Sequence, residues 1–204
     1  MTPLEELMDV MRDNARRTFV DARTEGARIP NLVTVLTPDL PRAMRLVPFM
    51  VFADTDRTIE VAKMAICGLN ASIVVIVSDT WHARRETNPD TGQPWVTGEM
   101  STYVEAHGPG DVVTEAALIT GHTREGDSTA ICLPYEIKAD GLWWGKEVAL
   151  DQPRGIVPAE IDRAFALPTF TSVHPGEPAD ECAIVALKAI AESDDVMLAE
   201  VLYF

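Results

Sequence analysis

Cysteine is scarce in this chain, and its placement carries no pairing pattern. Cys67, Cys132 and Cys182 lie far apart, each among apolar neighbours, with no C-x-x-C spacing. That argues against a zinc ribbon and predicts buried free thiols in a reducing compartment. Long hydrophobic runs are missing too. No stretch approaches the ~18 uninterrupted apolar residues of a membrane span, and the start, MTPLEELMDVMRD, mixes acids with apolar residues, so neither a signal peptide nor a membrane segment is expected. The expected location is the cytoplasm. Catalytic signatures are absent as well: there is no G-x-S-x-G elbow, no Walker loop, no H-E-x-x-H and no H-x-H. No repeat or low-complexity tract appears.

Positive charge is in short supply, but only past residue 50. Residues 1–50 hold 7 acids and 7 bases, whereas residues 51–204 hold 25 acids against 10 bases and so carry the whole net charge of -15. Such a surface repels phosphate backbones, which disfavours direct nucleic-acid binding. Mimicry of DNA needs carboxylates closely spaced along one face, and the tightest clusters here are only Asp180-Glu181 and Asp194-Asp195.

What is present is enough for one folded unit. At 204 residues, with 47% hydrophobic and 24% charged residues, the chain can bury about 70% of the surface that its unfolded form exposes. A single α+β domain spanning 1–204 is expected, its central sheet mixed or mostly antiparallel. Thr2-Pro3-Leu4-Glu5 is a capping box, and Leu4, Leu7, Met8, Met11, Ala15, Phe19 and Ala22 recur at helical spacing up to Gly26. This N-terminal amphipathic helix should pack against the sheet. Strands are expected over 31–36 and 45–52, then a helix over about 55–70 with Asp54-Thr55-Asp56 as its cap. Further strands are expected over 72–81, 111–123, 128–137 and 142–150, with Arg124-Glu125-Gly126-Asp127 as a hairpin turn. A short helix opens at Pro158. A longer one over 180–191 is apolar nearly all round and should be buried, and 196–204 closes the chain as an edge strand or docked tail.

The connection 84–110 is long and polar yet carries Trp95 and Tyr103, and loops of that length are usually functional or mobile. It leaves from VSDTWHARRET, the end of a buried strand. Alternation sends Ser78, Thr80 and His82 to one face and Asp79 and Trp81 to the other, so Asp79 and His82 converge only if the chain bends after Thr80. Otherwise Asp79 reads as a carboxylate accepting backbone N–H bonds where the strand ends. Antiparallel pairing of the next strand carries His122 far from His82 but returns His107 and Glu115 to its neighbourhood. Asp79, His82, His107 and Glu115 therefore form the candidate catalytic set, without a metal-binding spacing. Candidate binding residues are Trp81, His82, Trp95, Tyr103 and Trp144, since adjacent Trp143 and Trp144 must face opposite sides of a strand.

From about Leu46 to Ile137, the chain resembles a loosely defined set of uncharacterised bacterial and phage proteins. The resemblance rests on IVVIVSDTW, on the polar loop through Pro89 and Pro94, and on Thr114-Glu115-Ala116-Ala117-Leu118-Ile119. It implies a helix, a strand, a loop and a hairpin in that order, and a phage or mobile-element source. It carries over no catalytic residues, and this chain departs from it in having His82 after the Trp and a longer loop.

The first expectation for function is a non-enzymatic accessory protein that binds a protein partner or small ligand through the 84–110 loop and the end of the 72–81 strand, with no cofactor and no metal. The second is a hydrolase or metal-dependent enzyme centred on Asp79, His82, His107 and Glu115. The third is a structural subunit of a virion or other assembly, a homo-oligomer in which the Met-rich first helix or the 196–204 segment packs on a neighbour.

Overall fold

The computed structural model of the chain describes residues 1–40, 42–83, 90–93, 104–106, 112–150 and 156–199, with backbone only at 43, 83 and 156. Helix α1 (Pro3–Thr24) starts at the capping box: the Thr2 hydroxyl accepts from the Glu5 N–H, and the Glu5 carboxylate accepts from the Thr2 N–H. Its buried residues are those expected, Leu4 to Ala22 at helical spacing. The helix stops at Glu25, and Gly26 turns the chain with φ at 65°, a conformation open to glycine without steric cost.

Strand β1 (Asn31–Leu36) pairs antiparallel with β2 (Leu46–Val51), and a 3₁₀ turn (Arg42–Met44) lies between them. Helix α2 (Thr55–Gly68) follows, with the Asp54 carboxylate accepting from the Arg57 N–H as its cap. It ends near Asn70, the one described non-glycine residue at positive φ, a position asparagine tolerates. Strand β3 (Ile73–Ala83) then lies on the other side of β1. Strands β4 (Val113–Thr123) and β5 (Ser128–Lys138) form the expected hairpin.

Where one strand is expected over 142–150, two form, β6 (Gly141–Trp144) and β7 (Val148–Leu150), end to end along β5. Pro134 is the reason. Its carbonyl accepts from the Gly145 N–H, so its missing N–H faces the same side and the ladder breaks there. Helices α3 (Ile156–Phe165), α4 (Phe170–Val173) and α5 (Ala179–Ala191) precede β8 (Val196–Leu198), which pairs with β2. The fold is α+β. Its one sheet has eight strands in the order β6-β5-β4-β3-β1-β2-β8, with β7 also on β5, and every named pair is antiparallel.

Two cores flank this sheet. On one face α1 buries Phe19 and its methionines against Val75, Val77, Ala117, Ile119 and Leu133. The close approach is made at Gly121, where a Cβ would stand 2.7 Å from Leu4 Cδ1 and 2.8 Å from Met8 Sδ. The opposite face is covered by α2, α3 and α5, around Phe49, Ile66, Ile76 and Ile161.

Helix α5 departs from the expectation of burial all round. Only Cys182, Ala183 and Ile190 are buried, and Val185 is 57% exposed. It lies at the margin of its layer with one face on α2, approaching so closely that a Cβ on Gly68 would meet Ala186 Cβ at 2.7 Å. Two arginines fasten the outer connections. Arg57 holds Asp195, at the entry to β8, by two bonds of 2.8 and 3.2 Å. Arg124, in the hairpin turn, donates to the carbonyls of Ala71 and Phe165 and stacks over the Phe165 ring. Among the described residues, no helix is long and apolar enough to cross a membrane.

Candidate functional site

The expected divergence at the end of β3 is settled by pairing. Strand β3 stays in register with β4 over its whole length, from Ile73 opposite Thr123 to Ala83 opposite Val113. No bend follows Thr80. Asp79 and Trp81 therefore share the α1 face with Val75 and Val77, whereas Ser78, Thr80 and His82 share the other face with Val74 and Ile76. The candidate catalytic set is divided: Glu115, opposite Trp81, joins Asp79, and His82, opposite Thr114, does not. His107, Trp95 and Tyr103 lie outside the described residues.

On the α1 face the polar groups are paired with one another. The Tyr135 hydroxyl donates to Asp79 Oδ1 at 2.6 Å, and Arg23, in the last turn of α1, reaches Glu115 at 3.4 Å. Register brings them together, because Tyr135 stands opposite Glu115 on one side and Trp144 on the other. Phe19, Tyr135 and Trp144 form an aromatic trio with ring centroids 5.6 to 5.8 Å apart, so Trp144 is turned inward. Trp143 is the tryptophan that leaves the core, 52% exposed, with its N–H on Asp140 and Lys138 over its ring.

Burial raises the Asp79 carboxyl above the ordinary range, against the Tyr135 bond, Arg23 and the Thr80 N–H, which pull it down. Asp79 is nevertheless an exposed residue, so solvent screens these effects and the rise is smaller than for a sealed group. Glu115 is raised by burial too, opposed by Arg23 and reinforced by the Asp79 charge. Burial, and then the bond to Asp79, push the Tyr135 phenol far up, so it stays protonated and serves as a donor. Burial pulls Arg23 down, but Tyr135, Glu115 and Asp79 outweigh it, and the guanidinium stays charged. This is a cluster that seats the end of α1 on the sheet. Asp79 accepts a backbone bond, as expected, but its principal partner is Tyr135.

The other face behaves differently. Between the sheet and the first turn of α3 lies a cavity of about 150 Å³, lined by Ser78, Thr80, Leu118, Thr120, Ala130 and Leu150 from the strands. Val157 and Pro158 of α3 and Thr55 of α2 close it, and Asp79 reaches its edge. Four of these side chains are hydroxyls. Thr120 is 3% exposed, and its Oγ1 has no hydrogen-bond partner. The space exists because Thr120 sits opposite Ala130, whose methyl group leaves the wall unfilled. One step further along the same face, His122 is wholly buried, with Nδ1 3.1 Å from the Asp162 carboxylate. Burial lowers its pKa although Asp162 raises it. Neutral, it donates from Nδ1 to Asp162, which leaves the Nε2 lone pair without a partner.

Larger hollows lie at the surface, such as the 370 Å³ cleft beside Trp143 and Lys146 and the 380 Å³ apolar groove between α2, α4 and α5. Both are more open, and neither is lined by a buried polar atom lacking a partner. Among the described residues, no three His, Cys, Asp or Glu side chains are grouped to hold a metal ion. All three cysteines are free, and burial pushes the Cys132 thiol up to about 11, too high for a nucleophile at neutral pH.

Tyr135, Arg23 and Thr120 have no place in the reading of the sequence. For Tyr135 the signal misleads by one residue: a turn centred on 124–127 would set Glu115 opposite Glu136, whereas the hairpin is centred on Glu125, with the Thr123 N–H donating to the Asp127 carbonyl, and this sets Tyr135 opposite Glu115. Thr120 gives none, since an unpaired hydroxyl depends on which helix roofs the strand. Comparison with protein-family models, with curated proteins and with solved structures finds no match.

Proposed function

We propose that the protein is a non-enzymatic binding protein that takes a small ligand into the cavity at the end of β3. The observation that carries this reading is the cavity itself together with the Thr120 hydroxyl, which is buried and without a partner on one of the side chains that line it. A buried polar group left unpaired costs about 1–3 kcal/mol, and a bound ligand group that hydrogen-bonds to it recovers that loss. Enzymatic work by Asp79 and His82 together needs both to reach one substrate, and strand alternation holds them on opposite faces. The acidity of the chain favours a role without direct nucleic-acid contact.

Filling the cavity tests the reading. Ala130→Leu adds a side chain that occupies the space opposite Thr120. Ligand-observed NMR with a set of fragments of six to ten heavy atoms should show binders on the unaltered protein that the Leu variant loses, while its circular dichroism stays unchanged. A set in which no signal depends on Ala130 removes the proposal.

A further inference from the structure

Resting on that reading, we infer that the ligand is a short neutral polyol carrying two or three hydroxyls. The lining dictates the class. Thr55, Ser78, Thr80 and Thr120 supply hydroxyls, each able to donate and accept. Leu118, Ala130, Leu150, Val157 and Pro158 supply apolar surface between them. A polyol presents the same alternation, C–H faces beside O–H groups that both donate and accept.

Other classes fit less well. An anion needs compensating charge, and the lining described here contains no Lys or Arg. The nearby cations are already engaged, Arg57 by Asp195 and Glu60, and Lys63 by Glu160. Asp54 caps the start of α2, which offsets the positive end of that helix. Among the described residues that line the cavity, Asp79 is the one carboxylate, and its Oδ1 already accepts from Tyr135. An apolar molecule fills the space but leaves the Thr120 hydroxyl unpaired. Size sets the upper limit, since a cavity of about 150 Å³ admits a benzene-sized molecule of roughly six heavy atoms.

The test titrates glycerol, 1,2-propanediol, 1-propanol and inorganic phosphate against the unaltered protein and the Thr120→Val, Ser78→Ala and Ala130→Leu variants, followed by ligand-observed NMR. Glycerol or 1,2-propanediol should bind more tightly than 1-propanol and phosphate. Thr120→Val, which keeps the shape and removes the hydroxyl, should weaken polyol binding at least tenfold, and Ser78→Ala, a smaller change at the wall, severalfold. Polyol affinity unchanged in both variants overturns the inference. So does tighter binding of phosphate or of 1-propanol. If 1-propanol binds and Ala130→Leu abolishes it, the cavity is a binding site and only the ligand class is wrong; if none of the four binds, the polyol assignment fails, and the fragment screen alone decides whether the cavity binds at all.

Discussion

Strands β3 and β4 present two faces of opposite character within the thickness of one sheet. On the α1 side, carboxylates, a phenol and a guanidinium meet, a combination common in active sites, yet each is bonded to another. On the side of α2 and α3, the polar residues are hydroxyls and the histidines His82 and His122, and two buried atoms, Thr120 Oγ1 and His122 Nε2, lack partners. Apart from Arg16 Nε on α1, which lacks a partner although the guanidinium lies 3.9 Å from Glu147, the chemically richer face is thus the satisfied one. The plainer face holds the unfilled hydrogen-bonding capacity that a ligand can use, so a residue's type says less about a site than whether its bonds are already made.

The largest expected effect breaks the α1 face as a whole. Phe19 is fully buried and packs edge-on to Tyr135 and against Trp144. Phe19→Ala should cost about 3–5 kcal/mol in urea unfolding, and should also free Tyr135 from Asp79. Binding in the cavity on the opposite face should survive wherever the variant remains folded. A loss under about 1 kcal/mol would mean that α1 is not integral to the core.

The next contrast lies in the response to pH. Asp79 and Glu115 have raised folded values. The folded state therefore holds their protons more tightly than the unfolded state, and this face gains stability as pH falls through those values toward about 4. His122 is lowered, so the unfolded chain takes up a proton that the folded chain refuses. The other face loses stability as pH falls below about 6.5. Urea midpoints measured from pH 7 to 4 should show the two trends separately. Asp79→Asn with Glu115→Gln should remove the gain, and His122→Leu should remove the loss. A His122→Leu profile parallel to that of the unaltered protein would show that the imidazole is not held neutral.

Much of this contrast is legible in the sequence. The Leu4 to Ala22 stripe names the α1 core residue by residue, because a 22-residue amphipathic helix leaves no choice of face. Strand alternation separates Asp79 from His82. The hairpin itself is legible from 124–127, but not its register: the loop closes between Thr123 and Asp127, one residue off the expected centre, and only this sets Glu115 opposite Tyr135. What the sequence withholds depends on distance along the chain. Asp79 meets Tyr135 only through the β3–β4 register, and the 29 residues between those strands, 84–112, are too many for their spacing in sequence to set it. The break at Gly145 follows from the side on which Pro134 faces, and the cavity follows from how α3 sits over Ala130. Neither property belongs to a residue and its neighbours in sequence.

The smallest effect gives the sharpest comparison, because two hydroxyls are removed with little change of shape. Tyr135→Phe deletes the donor to Asp79, a bond of 2.6 Å to a carboxylate. Asp79 then loses the interaction that lowers its pKa and is raised further. Thr120→Val deletes a hydroxyl that has no partner. In the absence of ligand, Tyr135→Phe should destabilise by about 0.5–1.5 kcal/mol, and Thr120→Val should stabilise by about 1 kcal/mol, since it removes a buried unpaired group. Thermal unfolding of the two variants side by side reads the difference in sign. If both lower Tm, then Thr120 has a bond on the ligand-free protein, and the two faces are alike in what they satisfy.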